Sequence, residues 1–256
     1  MKLSVLSFVA VSVAASAAMA TPPVTGAKLN TRVFNDNPGS TLVTNNTYPV
    51  QVQFSDSNVG VSGANRHNWR VSGDAGATSM NISNAWDFSI FSDVTLSGAG
   101  QGEGGLNLSP WWSQNVDGVF MLNTGSGEVA IFGGRLPFYS FTTAQAVNYV
   151  KGTTVRLGIE YNPNGLSMAS PGQIRYWYNN LNSGWINFDE GNPNEPYGLW
   201  GILNQAQVGG YVQIPGNSAF PNSLTATFGN ITFVPAPGAA GLLAVGGLVA
   251  VRRRRR

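Results

Sequence analysis

The sequence lacks cysteine altogether and contains a single histidine, His67. Without cysteine there is no disulfide framework, no iron–sulfur cluster, and no thiolate nucleophile or thiolate zinc site. One histidine excludes a metal site built from several histidines and barely permits a histidine-based catalytic triad. His67 lies between Arg66 and Asn68, and we predict it to be an ordinary loop or strand-end residue.

Charged residues are also scarce, at 10% of the chain. The formal net charge is +2, but Lys2 and the run Arg252–Arg256 supply six of the 14 positive charges. Removing those six leaves eight positive charges in residues 21–234 against all 12 acidic residues, a net charge of −4. Because nucleic-acid binding needs a basic surface, this mildly acidic body argues against a nucleic-acid partner.

Residues 1–20 have the layout of a secretory signal peptide. Lys2 precedes the apolar run Leu3–Val13, and small residues then lead to Ala18-Met-Ala20. A basic start, a short apolar core and an A-x-A ending predict cleavage before Thr21 and export of the body. The alternative, a buried N-terminal helix, is disfavoured because no polar residues mark a second face.

The C-terminus combines a proline motif, a short apolar run and a block of arginines. The run Gly238–Val251 would extend roughly 21 Å as a helix, less than the ~30 Å hydrocarbon core of a bilayer. Arg252–Arg256 would remain cytoplasmic under the positive-inside rule and halt export there. This pattern predicts a transient inner-membrane tether, with an uncleaved weak anchor as the alternative.

The tail, residues 235–256, resembles a PEP-CTERM sorting signal. The resemblance rests on Pro235, Ala236, Pro237 and Gly238, followed by the short apolar sorting helix and the terminal arginines. It implies an exosortase-type processing enzyme that cuts near the motif and releases or re-attaches the protein. Ala236 departs from the glutamate that gives the family its name. The implied destination is the cell surface or extracellular matrix of a Gram-negative-type bacterium.

Period-two alternation dominates the body. Val50, Val52 and Phe54 alternate with glutamines, and similar runs cover 155–161, 174–178 and 225–233. Such runs predict half-buried strands. Gly- and Asn-rich turn signals separate them, and 142–150 would form at most one short helical turn. We therefore predict an all-β fold, an antiparallel β-sandwich of jelly-roll type, in one domain over 21–234.

A second resemblance concerns the middle of the body. The stretches 106–112, 117–120, 127–138 and 151–157 resemble exported bacterial proteins with concanavalin A-like or laminin-G-like sandwiches. The strand after Lys151-Gly-Thr153 and the turn Asn162-Pro-Asn-Gly165 are similar to a recurring strand pair of that fold. The resemblance implies a jelly roll whose relatives often bind carbohydrate.

No catalytic residue is predicted. A glycosidase needs two carboxylates flanking the sugar bond, and the Glu-x-Asp-x-x-Glu pattern of concanavalin-like glucanases does not occur. Glu160 stands alone on the polar face of its predicted strand, and Glu190 and Glu195 lie in a polar loop. These three glutamates are the candidates if the protein is instead a glycan hydrolase or lyase.

The loop Asp189–Glu195 offers carboxylate and amide oxygens of the kind that calcium prefers. Its candidate Ca²⁺ ligands are Asp189, Glu190, Asn192 and Glu195. The spacing matches no EF-hand, and the alternative is a polar loop held by Asx turns. No other cofactor is predicted.

Aromatic residues provide the best candidates for ligand binding. An indole beside polar groups can stack on the apolar face of a sugar, although most tryptophans are buried packing residues. Arg135 is added because a guanidinium can clamp an acidic sugar. The candidate carbohydrate-binding residues are Trp111, Trp112, Trp177, Trp185, Trp200 and Arg135.

Together these features predict a non-enzymatic, exported surface or matrix protein that binds extracellular polysaccharide. Two alternatives remain open: a glycan hydrolase or lyase on a concanavalin-like scaffold, and a purely structural matrix component.

Overall fold

The computed structural model describes residues 23–110, 118–189 and 200–236. Thr21–Ala236 forms one compact unit. The elements in chain order are β1 (Gly26–Asn35), β2 (Thr41–Thr47), β3 (Gln51–Val59), β4 (Ala64–Ser72), β5 (Asp87–Ser97), β6 (Glu103–Pro110), β7 (Gly118–Asn123), β8 (Val129–Phe132), β9 (Tyr139–Ser140), α1 (Phe141–Gln145), β10 (Thr154–Asn162), β11 (Gln173–Tyr178), β12 (Leu181–Asn182), β13 (Ile186–Asn187), β14 (Ala206–Pro215) and β15 (Asn222–Ala236).

The strands form two antiparallel sheets that enclose one main core. The seven-stranded sheet has the order β1-β4-β14-β6-β7-β8-β9. The eight-stranded sheet has the order β12-β11-β10-β5-β15-β3-β2, with β13 paired to β11. The prediction of an all-β antiparallel sandwich is therefore confirmed.

The alternating sequence runs become strands because each has one dry face. In β3 the side chains of Val52 and Phe54 are fully buried between the sheets, and the intervening glutamines are half-buried. Val50 was predicted to share this inner face, but it precedes the strand and is 69% exposed. The strand begins one residue later than the pattern indicates because Val50 N–H closes a turn onto the Thr47 carbonyl.

β15 changes its inward face part of the way along. Ala226 and Phe228 are buried, whereas beyond them Ile231 is the buried residue. Between Gly229 and Thr232 the register with β5 shifts, and Asn230 adopts a positive φ of 47°. A bulge adds one residue and therefore reverses the alternation, which explains why the sequence pattern of this run gives no single face.

His67 is neither in a loop nor at a strand end, so that prediction is wrong. It lies within β4, fully buried, and its ring stacks on Phe54 at 5.8 Å between centroids. Its Nδ1 accepts a hydrogen bond from Arg32 N–H at 2.9 Å, so Nε2 carries the proton and donates to Asp56 Oδ2 at 3.0 Å. Asn65 Nδ2 donates to the same Asp56 oxygen at 2.8 Å. Buried polar groups require such partners.

The short helix α1 replaces the predicted turn over 142–150 and begins and ends earlier. Ser140 Oγ caps it by accepting from Thr143 N–H at 3.1 Å, and Ala146 ends it with a left-handed φ of 54°. Among the described residues, no helix has the length and apolarity to cross a bilayer.

Candidate functional site

The outward side of the seven-stranded sheet carries ionisable side chains. In β4 the residues Trp69 and Val71 belong to the core. Since side chains alternate along a strand, Arg66, Asn68 and Arg70 face the opposite way. All three of these polar side chains are buried, which is unusual for arginine and asparagine.

The strand register brings residues of β14 and β6 into line with these three. Nine residues then form what we call the outward patch, and each cross-strand row takes one residue from each of three neighbouring strands. The rows are Arg66–Gln213–Glu103, Asn68–Tyr211–Gly105 and Arg70–Gly209–Asn107.

Three ionisable side chains of the outward patch touch one another or share a partner. The Arg66 guanidinium carbon lies 4.5 Å from the centre of the Tyr211 ring. Arg66 also donates to Gln213 Oε1 at 3.3 Å, and the Tyr211 hydroxyl donates to Glu103 Oε1 at 3.4 Å. The result is a chain of contacts from a cation through a phenol to a carboxyl group.

The surroundings of Glu103 shift the pKa of its carboxyl group. Burial raises its pKa above the ordinary glutamate value. The charge of Arg66 and the hydrogen bond from Tyr211 oppose this rise, and the nearby charge of Glu128 adds to it. A carboxyl group with a raised pKa can take up and release protons closer to neutral pH than an exposed one.

Positive charge is concentrated here although the body as a whole is acidic. Lys28 on β1 pairs with Arg70 in the register and adds a third cation beside Arg66 and Arg70. These are three of the eight positive charges in residues 21–234, and Glu103 is the acidic side chain of the patch. The arrangement therefore favours an anionic ligand.

At one position of the outward patch, glycine is required because a neighbouring backbone lies too close for a side chain. At Gly209, a Cβ atom would lie 1.9 Å from the Trp69 carbonyl oxygen. A glycine inside a strand often marks a place where another backbone or a ligand approaches closely. Beside it, Asn107 Nδ2 donates to the Gly118 carbonyl at 3.0 Å, whereas its buried Oδ1 has no hydrogen-bond partner among the described residues.

Two of the predicted sugar-binding tryptophans come together on the other sheet. Trp177 and Trp185 lie on either side of the Arg175 guanidinium, whose carbon is 4.9 and 4.6 Å from the two ring centres. This cluster lies on the outward face of the eight-stranded sheet. Of the other predicted tryptophans, Trp200 is half-buried outside this cluster, and Trp111 and Trp112 lie outside the described residues.

Arg135 and Asp189 line a cleft beside the end of β8 and the short strand β13. Its volume is about 510 Å³, and Phe132, Phe138 and Ile186 line it as well. Arg135 is therefore in a concave site, as its proposed role requires. Glu190, Asn192 and Glu195 fall outside the described residues, so the calcium prediction concerns a loop of which Asp189 alone is seen. Within residues 23–110, 118–189 and 200–236, no three His, Asp or Glu side chains cluster as metal ligands would.

Glu160, a candidate if the protein cleaves glycans, is committed to structural contacts. Its Oε2 accepts from Arg175 Nε at 2.6 Å and from Trp177 Nε1 at 2.7 Å. The sheet register gives it no second carboxylate as a cross-strand neighbour, because its partners on β5 and β11 are Ser89 and Arg175. A carboxylate held in this way is a poor acid or base for a glycosidic bond.

The sorting motif begins inside a strand. Pro235 pairs with Phe88 and Ala236 with Asp87 in the register of β15 with β5. Pro237 and Gly238 fall outside the described residues.

Sequence reasoning missed the outward patch. Arg66, Glu103 and Tyr211 come from three strands that are distant in the chain, and none belongs to a recognisable motif. One local signal was present: Arg66, Asn68 and Arg70 alternate with His67 and Trp69, which indicates a strand with one polar face.

No protein-family model matches the chain, and no curated protein matches it. Solved structures do match. A doubly substituted form of the family 7 alginate lyase A1-II′ in complex with substrate is 10% identical with a TM-score of 0.54, over 84% of this chain and 94% of its own. Alginate lyase AlgAT5 from polysaccharide lyase family 7 is 14% identical with a TM-score of 0.47, over 83% and 95%. The carbohydrate-binding module CBM66 from Bacillus subtilis is 12% identical with a TM-score of 0.42, over 82% and 96%. At these identities the likeness establishes the fold alone.

These neighbours contradict the prediction of a non-enzymatic protein that only binds polysaccharide. Three of the matching structures with a TM-score above 0.5 are forms of an alginate lyase. They favour the alternative reading, which placed a glycan hydrolase or lyase on the sandwich.

Proposed function

We propose that this protein is a polysaccharide lyase that cleaves an acidic, uronate-containing polymer on the outward patch. One observation carries the proposal: the chain of contacts from Arg66 through Tyr211 to Glu103, with Arg70 and Lys28 alongside. The family 7 alginate lyases named above share the sandwich, and we propose that the sandwich is a concanavalin A-like jelly roll like that of a lyase.

The proposed reaction is a β-elimination. A base removes the proton on C5 of the uronate, the bond between C4 and the glycosidic oxygen breaks, and a C4–C5 double bond forms. The departing oxygen receives a proton, and no water is consumed. Because the C5 proton is adjacent to the carboxylate, its removal places negative charge on that carboxylate, and nearby cations stabilise this charge.

The residues of the patch supply each requirement. Arg66 and Arg70 bind the uronate carboxylate and stabilise the charge that develops on it. Glu103, with its raised pKa, is the base that takes the C5 proton. Tyr211, whose hydroxyl points to Glu103, supplies the proton to the departing oxygen.

An elimination assay tests this proposal. The new double bond is conjugated with the carboxylate and absorbs ultraviolet light, whereas the substrate does not. We expect the full chain to produce this absorbance from at least one of alginate, pectate and hyaluronan, and to produce none from neutral glucans. New reducing ends without the absorbance would indicate hydrolysis and contradict the lyase proposal, as would no cleavage of any acidic polymer.

We also propose that the chain is exported and that its tail is removed. Support comes from the signal-peptide layout of 1–20 and from the motif, apolar run and arginines of 235–256. An exosortase-type enzyme would cut near Pro235–Gly238 after a transient inner-membrane stage and deliver the body to the cell surface or matrix.

We expect the mature protein to begin at Thr21 and to lack Arg252–Arg256. Intact-mass measurement on protein recovered from the producing cells checks both ends. Deleting Arg252–Arg256 should leave the tail uncut and misroute the protein. Mature surface protein that still carries the arginines would contradict the sorting proposal.

A further inference from the structure

The outward face of the eight-stranded sheet carries a row of two guanidinium groups and three aromatic rings, on the opposite sheet from the outward patch. The members, which we call the aromatic–guanidinium ladder, come from β10, β5, β11 and the residue before β13. In order they are Arg156, Phe91, Trp177, Arg175 and Trp185, with successive separations of 5.7, 6.5, 4.9 and 4.6 Å between ring centres and guanidinium carbons.

Strand register and one glycine bring the Phe91 and Trp177 rings of this ladder together. Gly158 lies between Phe91 on β5 and Trp177 on β11, directly opposite both. A Cβ atom at Gly158 would come 2.2 Å from Phe91 Cε1, so the Phe91 ring lies over the glycine. Any side chain at position 158 would displace that ring. The Phe91 and Trp177 rings are tilted by 51° to one another, and Trp185 is 43% exposed.

Every cation of the ladder has an acidic partner. Arg175 donates to Glu160, which also accepts from the Trp177 indole N–H at 2.7 Å. Arg156 forms an ion pair with Asp93 at 3.0 Å. The two arginines of the ladder and their two acidic partners, Glu160 and Asp93, together carry no net charge. An acidic polymer gains no electrostatic attraction here, in contrast to the cationic patch of the other sheet.

The cross-strand neighbours of the two central rings are polar and uncharged. Thr232 pairs with Phe91 on one side, and Asn182 pairs with Trp177 on the other. Interfaces between protein chains have a predominantly apolar centre, whereas this face mixes ring faces with hydroxyl and amide groups. Rings that present an apolar face beside hydrogen-bonding groups suit a sugar, which has an apolar C–H face and hydroxyl edges.

We propose that the aromatic–guanidinium ladder is a second polysaccharide-binding surface, specific for a neutral glycan. Trp185 and Trp177 stack on sugar rings, while Arg175 contacts both indoles and positions them. The ladder is longer than one sugar ring, so it fits an extended chain. This inference does not require the lyase activity, and such a surface would hold the protein on a neutral matrix while the opposite sheet acts on an acidic polymer.

Co-sedimentation of the full chain with microcrystalline cellulose and with insoluble β-1,3-glucan tests the inference. We expect binding to at least one of these probes and an affinity about fivefold lower for Trp185→Ala, which corresponds to the loss of one aromatic stacking contact of about 1 kcal/mol. Phe138→Ala is the matched control, because Phe138 is 69% exposed but lies at the cleft rather than on the ladder.

Each outcome distinguishes the two proposals. Trp185→Ala should leave cleavage of acidic polymers unchanged, so a failure of binding and a failure of catalysis are seen separately. No sedimentation with either probe, or equal loss in Phe138→Ala, would overturn the ladder proposal. So would self-association of the wild-type chain in sedimentation velocity that Trp185→Ala abolishes, because the ladder would then be a contact between copies.

Discussion

Glu103→Gln is expected to lower the rate of acidic-polymer cleavage by about 100-fold or more, because loss of a general base typically costs on the order of 10²- to 10⁴-fold. The glutamine side chain has the size of the Glu103 side chain. Its Oε1 can still accept the hydrogen bond from the Tyr211 hydroxyl, which is 3.4 Å from Glu103 Oε1 in the wild-type chain. It cannot take up the C5 proton. The fall should therefore appear in kcat with KM nearly unchanged, as measured by initial rates over a range of polymer concentrations.

The pH profile separates a catalytic role from a structural one. Burial raises the pKa of Glu103, and a base works only when deprotonated. Activity should then rise with pH through that pKa, at a higher pH than an exposed glutamate would give. The residual activity of Glu103→Gln should lack this rise.

Glu160→Gln is the matched control for Glu103→Gln. Glu160 has the same side chain but lies on the eight-stranded sheet, in contact with Arg175 and Trp177. We expect its substitution to leave the kcat for acidic polymers and its pH dependence intact. Loss of activity in Glu160→Gln with activity retained in Glu103→Gln would move the active site to the other sheet and contradict the proposed one.

Asp56→Ala is expected to lower the free energy of unfolding by about 3–5 kcal/mol, the usual cost of removing one partner from a buried charged network. Asp56 is fully buried, and its Oδ2 accepts from His67 Nε2 at 3.0 Å and from Asn65 Nδ2 at 2.8 Å. Alanine leaves the buried His67 Nε2–H without an acceptor, whereas Asn65 Nδ2 keeps the Asn37 carbonyl and Ser40 Oγ as acceptors. Chemical denaturation monitored by tryptophan fluorescence measures the change.

Asp93→Ala provides the comparison for Asp56→Ala. Asp93 also pairs with a basic group at 3.0 Å, but it and Arg156 are 28% and 31% exposed. A surface pair contributes only about 0–1 kcal/mol. Equal destabilisation by the two substitutions would show that the Asp56 network contributes no more than a surface ion pair.

The pH dependence of stability has a definite sign. Burial alone would raise the pKa of Asp56, but hydrogen bonds from His67, Asn65 and Ser40 bring it below its ordinary value. Since the native pKa is lower than the unfolded one, Asp56 stabilises the fold above the unfolded pKa, and this is lost as pH falls through the native pKa. The wild-type chain should lose stability in acid more steeply than Asp56→Ala.

Alternation was sufficient to find individual strands, because a half-buried strand repeats every two residues whatever its neighbours are. It identified β3, β10, β11 and β15. The order of strands within a sheet depends on pairing between distant segments, which a local period does not record. The bulge in β15 is a second feature that a local period does not record. One added residue at Asn230 reverses the alternation of inward and outward side chains beyond it.

The candidate sites were predictable only where neighbours in sequence are neighbours in space. Trp177 and Trp185 flank a short segment and do meet, around Arg175. Phe91 extends that ladder from β5 and could not be anticipated. The outward patch was not predicted because the sequence was searched for two carboxylates close together in the chain. The contacting groups of the patch are instead one arginine, one tyrosine and one glutamate on separate strands.

The positions of β14 and β15 have a consequence for how the chain acquires its structure. β14 lies between β4 and β6 in the seven-stranded sheet, and β15 lies between β3 and β5 in the eight-stranded sheet. The last two described strands are therefore interior strands, one in each sheet. Neither sheet can be completed during synthesis of the preceding segments, and the pairings they close span long stretches of chain. Folding dominated by such distant contacts is slow. A chain of this kind completes its sheets only after β14 and β15 have been synthesised, which is compatible with the export proposed above.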